Sequence, residues 1–363
     1  MKKLWVGLCI FVLLSFCVQS AEAAYHFSEF RARLPLHIFK ADTVPSGISP
    51  QIIKAVYHLP PRGGHGTIAI IGAYDDVTIE NDLRVFSSTF RLPECTSRNG
   101  CLEKHLMAKK LQSKAGWNLE TSLDVEWAHA IAPDAKILLV EARSPSGANL
   151  LKAVDYAVSR SDVVAVSMSW GGAEFPEEKS LDKHFVSKSG AVFFVSSGDN
   201  GWGPSWPASS INVVSVGGTT LLLNNDNSLS REEAWRGSGG GVSAYETQPV
   251  FQSSYSISKA HGMRAIPDVS YNADPRSGFS VYAKEKWYVL GGTSAGAPQW
   301  AAIRSLGLSA ANDKFYSDKA TSSHAAFFRD IISGSNGDCK YYCEARKRYD
   351  YVTGLGSPVT VNF

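Results

Sequence analysis

Lys136-Ile137-Leu138-Leu139-Val140-Glu141 is a short apolar run, and Val163-Val164-Ala165-Val166-Ser167-Met168 is another. Between them Leu150, Leu151, Val154 and Val158 recur at helical spacing. Each run is apolar without alternation, as in strands buried on both faces, and the intervening helix has one apolar face. The pattern extends outward. Thr67–Gly72, Ala191–Ser196 and Asn212–Val216 read as further buried strands, and 178–189 has helical character. Segments 224–247 and 270–292, rich in Gly, Ser and Asn, read as loops and hairpins. Strands alternating with helices predict an α/β fold, a mostly parallel sheet covered on both sides.

The chain has 363 residues, with 36 Lys plus Arg against 34 Asp plus Glu and a net charge of +2. That length allows one large domain or two small ones, and no repeat, charge block or Pro-rich linker divides it. Apolar residues at 44% and charged residues at 19% exclude a disordered chain. The balanced charge gives no reason to expect a nucleic acid partner.

Lys2 and Lys3 precede an apolar run from Leu4 to Val18, and Ala21-Glu22-Ala23 offers small residues for cleavage. This predicts a secretory signal peptide at 1–23 and an exported protein, periplasmic or extracellular. Cys17 admits a lipid anchor, but the bulky Phe16 precedes it. No later run approaches the ~20 apolar residues of a membrane span. Cys95, Cys101, Cys339 and Cys343 remain after the leader, and their spacing in two close pairs predicts two local disulfides. Residues 24–46 read as a short lead segment and 47–363 as a single domain.

Four stretches carry chemistry. In Gly291-Gly292-Thr293-Ser294-Ala295-Gly296-Ala297-Pro298 a glycine turn enters a helix. Ser294 there has small neighbours and a positive helix end beside it, which suits a nucleophile as well as a plain cap. A Ser hydroxyl needs a base. His65 precedes the first strand, and His129 falls on the wrong helix face for that role. On the helix around 120–132, Leu123, Trp127 and Ile131 mark an apolar stripe that Glu120 and Asp124 share, while Ser122, Glu126 and His129 face the solvated side. Two carboxyls buried one turn apart share a proton, and the apparent pKa of one rises. That makes an acid/base pair. Asp199, in Ser196-Ser197-Gly198-Asp199-Asn200-Gly201, ends a strand where parallel sheets place their sites. It reads either as a turn residue or, when protonated, as a donor to an oxyanion. Ser169-Trp170-Gly171-Gly172 leaves an exposed backbone edge that an extended peptide can join, or is a simple strand exit.

Together these segments resemble the sedolisin family of serine-carboxyl peptidases. The resemblance covers nearly all the chain after the leader. It includes Tyr74-Asp75-Asp76-Val77-Thr78-Ile79-Glu80, Ser205-Trp206-Pro207-Ala208-Ser209-Ser210 and Val216-Gly217-Gly218-Thr219-Thr220-Leu221. It continues through Gly239-Gly240-Gly241-Val242-Ser243, Pro267-Asp268-Val269-Ser270 and Thr353-Gly354-Leu355-Gly356-Ser357-Pro358. It implies a subtilisin-like three-layer sandwich and an acid-active endopeptidase acting on peptides or proteins, as a monomer. Some relatives are instead exopeptidases that remove tripeptides. Ser294 would be the nucleophile, Glu120 its base, Asp124 the partner sharing a proton with Glu120, and Asp199 the carbonyl-polarising acid. A carboxylic acid donates only while protonated, which ties the work to acid.

The resemblance also implies one calcium ion, held by the side chains of Asp330 and Asp350 and the carbonyls of Ile331, Arg346 and Arg348. Arg346-Lys347-Arg348-Tyr349 departs from the family there, since relatives usually carry two glycines before the aromatic residue. The resemblance further implies a long inhibitory pro-segment, for which 24–46 leaves no room.

Overall fold

The computed structural model of the protein describes residues 26–317 and 324–359, so the expected leader at 1–23 lies outside the described residues. An eight-stranded sheet forms its centre. Across it run Val269–Asn272, Val213–Leu223, Val192–Ser196, Val163–Met168, Thr67–Ala73, Lys136–Ala142 and Leu102–Leu106. All these pair in parallel. The eighth strand, Leu229–Ala234, turns back antiparallel against Thr219–Leu223. It falls in a segment expected to be loops and hairpins, and the hairpin Phe279–Ala283/Lys286–Gly291 falls in the other.

Strand side chains alternate between two apolar layers. Ile68, Ile70, Ile137 and Leu139 face the helices Ala115–Ile131 and Gly296–Ser305. Ala69, Ile71, Leu138 and Val140 face Gly147–Ser159, where Leu150, Leu151 and Val154 meet them. Helices on both sides of one sheet make the three-layer sandwich that the alternation predicts.

One expectation fails. The helix 115–131 has no solvated face, since Glu126 and His129 are as buried as Leu123. The hairpin covers the side that helical spacing assigns to water. Glu126 accepts the Tyr282 N–H at 3.0 Å, and His129 Nε2 bonds the Pro93 carbonyl at 2.9 Å.

Arg264 and Asp268 form a fully buried two-bond pair at 2.7 and 2.5 Å, and Asp268 also accepts from the Tyr316 hydroxyl and the Ser215 N–H. Removing the carboxylate strands a buried guanidinium. Asp268→Ala is expected to cost about 3–5 kcal/mol, read as a lowered urea midpoint.

Burial raises the carboxyls of Glu141, Glu246 and Asp350 to about 7 and that of Glu178 to about 9. A carboxyl raised in the folded state binds its proton more tightly there than when unfolded. Its stabilisation is complete below the unfolded value near 4 and is lost as pH rises through the folded value. The urea midpoint is therefore expected to be higher at pH 4–5 than at pH 8. A midpoint that climbs steadily to pH 8 would contradict these burials.

Candidate active site

Helix 115–131 carries Glu120 and Asp124 beyond its first turn, so neither is a dipole residue at the helix start. Both are about 2% exposed. Desolvation raises both carboxyls well above the usual range, and the Asp124 charge raises Glu120 further. Two carboxyls this close and dry hold one negative charge between them more readily than two. The Ser169 hydroxyl donates to Asp124 at 2.8 Å and favours its charged form. The Ser294 hydroxyl is the group that favours charge on Glu120. Among the described residues neither Ser294 Oγ nor either Glu120 oxygen has a partner within hydrogen-bond geometry, each other included.

Ser294 sits in the short turn Thr293–Ala295 that opens helix Gly296–Ser305. Gly292 before it has φ +124°, in the region that favours glycine. A Cβ there would collide with the Pro35 carbonyl and with Asp199 Oδ2, two groups that converge beside Ser294.

Asp199 follows strand 192–196 at its carboxyl end. Its Oδ1 accepts from the Thr293 N–H and the Thr293 hydroxyl, both at 2.8 Å. That fixes the carboxyl and leaves Oδ2 facing the cleft. His37 Nε2 stands 3.1 Å from Oδ2, and this contact pushes its imidazole up. Oδ2 and the Ser294 N–H thus converge beside the Pro35 carbonyl, and Oδ2 is a donor there only when it carries a proton. Chemically, such an arrangement could supply a nucleophile, a buried base with a proton-sharing neighbour, and donors for a developing oxyanion.

The expected peptide-binding residues divide. Trp170 is fully buried, and its indole N–H donates to the Ile71 carbonyl at 3.1 Å, so its ring belongs to the core. Ser169 turns its hydroxyl to Asp124. Gly172 pairs with Trp206. Gly171 alone offers its backbone to an extended strand, and that strand is the chain's own. Arg33 and Gly171 exchange both backbone bonds, at 2.8 and 3.1 Å, and the Ala32 N–H donates to the Pro145 carbonyl at 2.8 Å. Further on, the Pro35 carbonyl accepts from the Ser294 N–H at 3.4 Å, and His37–Asp42 pairs antiparallel with Lys286–Gly291. The lead segment is therefore part of the fold and lines the cleft. Its signal is in the sequence: Phe30, Ala32, Leu34 and Leu36 alternate with Arg31, Arg33, Pro35 and His37, the period of a strand with one buried face. Thr293 and the Ser169 hydroxyl have no such signal, because only the tertiary fold aims them at carboxylates.

The expected calcium ligands lie together near the C-terminus, but their oxygens point at amide donors. Asp350 accepts four bonds, from the N–H groups of Arg346, Val352 and Thr353 and the Thr353 hydroxyl. Both Asp330 oxygens accept the Arg348 N–H. Arg348 has φ +66°, a conformation in which a glycine would be unstrained. In this arrangement the lone pairs of Asp350 are used and the set does not fit a cation. A Ca²⁺ bound here would have to displace some of those N–H and hydroxyl donors. Both expected disulfides, Cys95–Cys101 and Cys339–Cys343, are present. No described helix is long and apolar enough to cross a membrane.

The description of the subtilase family matches residues 112–333. Sedolisin of Pseudomonas sp. (strain 101) is 32% identical over 286 residues, which are 68% of this chain and 48% of that protein. Tripeptidyl-peptidase 1 of Dictyostelium discoideum is 29% identical over 66% of this chain and 46% of its own length. The chain thus spans about half the length of these curated relatives. The solved structure of Pseudomonas sedolisin, a serine-carboxyl proteinase complexed with two molecules of pseudo-iodotyrostatin, superposes with a TM-score of 0.76 at 27% identity, over 87% of this chain and 96% of that one.

Proposed function

Because the chain belongs to the sedolisin family of peptidases, within the subtilases, we propose that it is an exported, acid-active serine-carboxyl endopeptidase cutting peptides or proteins. In this reading Ser294 Oγ attacks the scissile carbonyl carbon while its proton passes to Glu120. Asp124 shares the proton of the dyad. The oxyanion is met by the Ser294 N–H and the protonated Asp199. Glu120 then protonates the leaving amine, and water repeats the sequence to free the acyl-enzyme.

The observation that carries this reading is the extended backbone lying across Ser294 with a carbonyl on its N–H. The same observation favours endopeptidase action. Arg33 is the third residue counted back from the Pro35 carbonyl, and the strand continues past it through Ala32 and Arg31 to Phe30. An enzyme releasing tripeptides must close the cleft after the third residue. Here a chain passes through.

Digestion of a peptide library at pH 3–7, followed by mass spectrometry, tests the proposal. Internal cuts favoured in acid are expected. Release of tripeptides alone, from free N-termini, would assign the exopeptidase activity named for the Dictyostelium relative.

Calcium takes no part in these steps. With Asp350 saturated by protein donors, we expect a melting temperature that neither added Ca²⁺ nor a chelator moves at pH 6. A reversible rise with Ca²⁺ would place the ion at Asp330 and Asp350.

A further inference from the structure

Beyond Asp124 the helix 115–131 carries His129 toward its end, where the fold gathers a second group of reactive side chains. Cys95, Cys101 and His129 each bring a ligand atom to within 4.8 Å of the other two, and no other three His, Cys, Asp or Glu among the described residues do so. Cys95 and His129 are fully buried and Cys101 is half-exposed. The two cysteines are joined as a disulfide. His129 Nε2 lies 2.9 Å from the Pro93 carbonyl, which only accepts, so Nε2 carries the hydrogen and Nδ1 the lone pair. That Nδ1 is buried and has no hydrogen-bond partner among the described residues. A buried acceptor left unpaired costs free energy, and a histidine serving the core alone would use both nitrogens.

We propose that this group is a redox-gated zinc site, in which splitting Cys95–Cys101 frees two thiolates beside the imidazole of His129 and the three hold one ion. Two electrons from a dithiol reductant, which itself becomes a disulfide, break the S–S bond and leave two thiols. Zn²⁺ displaces their two protons and takes both thiolates and the free imidazole nitrogen. The N–H that His129 gives to the Pro93 carbonyl is the second bond that ligating histidines make, and it fixes tautomer and ring together. Thiolate and imidazole select zinc over the hard cations Ca²⁺ and Mg²⁺. Solvent reaches the group past the half-exposed Cys101, and a water completes four-coordination.

Ion and disulfide are alternatives. The disulfide closes the loop 95–101 on itself, whereas the ion ties that loop to the helix that carries Glu120 and Asp124. The reduced chain thus gains a cross-link where it has lost one. Once the S–S bond forms again, both sulfurs are taken and the ion leaves. No residue of the group takes part in the proposed peptidase reaction, so the site stands or falls apart from that reading.

The test uses the full chain with Cys339→Ser and Cys343→Ser, so that only one cysteine pair can be reduced. A phosphine reduces it, because thiols compete for metal. Co²⁺ binding at pH 7.5 is then followed by absorption, and Zn²⁺ binding by competition with a chromophoric chelator. We expect one ion per chain and an intense near-ultraviolet thiolate-to-cobalt band that zinc abolishes, with neither in the unreduced chain. His129→Ala, and Cys101→Ser at its half-exposed position, should each weaken zinc binding about tenfold or more. Circular dichroism shows which variants keep the parent fold. A reduced, folded chain without the cobalt band overturns the proposal. A zinc affinity unmoved in either folded variant overturns it too, as does a chain that unfolds when reduced in the presence of zinc. None of these outcomes bears on peptide hydrolysis by the oxidised chain.

Discussion

Ser294→Ala is expected to lower kcat/KM by about 10⁴-fold or more, and Glu120→Gln nearly as far, with the double variant no worse than either alone. In the proposed mechanism the hydroxyl and the carboxyl act as one proton-transfer unit. Ser294 Oγ and both Glu120 oxygens are buried without a partner in hydrogen-bond geometry among the described residues, and the Ser294 hydroxyl favours charge on Glu120. Gln preserves the shape of Glu120 but cannot take a proton. Desolvation and the Asp124 charge favour protonation of Glu120, so Gln mimics its neutral form and the fold should survive. Initial rates on an internally quenched peptide at pH 4, beside circular dichroism of each variant, give the comparison. Additive losses would show that the two groups act separately.

Asp199 yields the second large effect. In the proposed mechanism Asp199→Ala removes an oxyanion donor, and it should cost about 10²–10³-fold in kcat. Asp199→Asn should behave differently. Its amide oxygen can accept from the Thr293 N–H and hydroxyl as Oδ1 does, and its NH₂ then points where Oδ2 points. An amide donates at every pH, whereas a carboxyl donates only when protonated. The alkaline limb of the pH–kcat profile should therefore move upward or vanish in the Asn variant. An unchanged limb would mean that Asp199 does not set it.

Much of the fold is written in local patterns. Runs such as Val163–Met168 are apolar without alternation because helices cover both faces of the sheet, and such runs are readable without tertiary knowledge. The helix 115–131 shows where pattern reading stops. Leu123, Trp127 and Ile131 mark one buried face, and nothing local reveals that the hairpin 279–291 buries the other. Glu126 consequently looks solvated in sequence and is fully buried in the fold.

The candidate site divides in the same way. Glu120, Asp124, Asp199 and Ser294 stand out because carboxyls on an apolar stripe and a Ser between glycines are locally odd. Trp170 stands out too, yet its ring is core, because aromatic residues are conspicuous for packing as well as for binding. Thr293 is inconspicuous in sequence, yet both its N–H and its hydroxyl hold Asp199. The lead segment was legible in principle through its alternation at 30–37. A short stretch ahead of the main domain gives no reason to look for a partner strand far away in sequence, and the Gly171 edge supplies one.

The central claim is that a carboxyl dyad, rather than an imidazole, takes the proton of Ser294. The pre-steady-state acylation rate, measured from pH 3 to 8 in the parent chain, Glu120→Gln and His37→Ala, tests it most directly. The account predicts acylation fastest in acid, lost at every pH in Glu120→Gln and retained in His37→Ala. Acylation that rises through pH 6–7, survives Glu120→Gln and disappears in His37→Ala would contradict it.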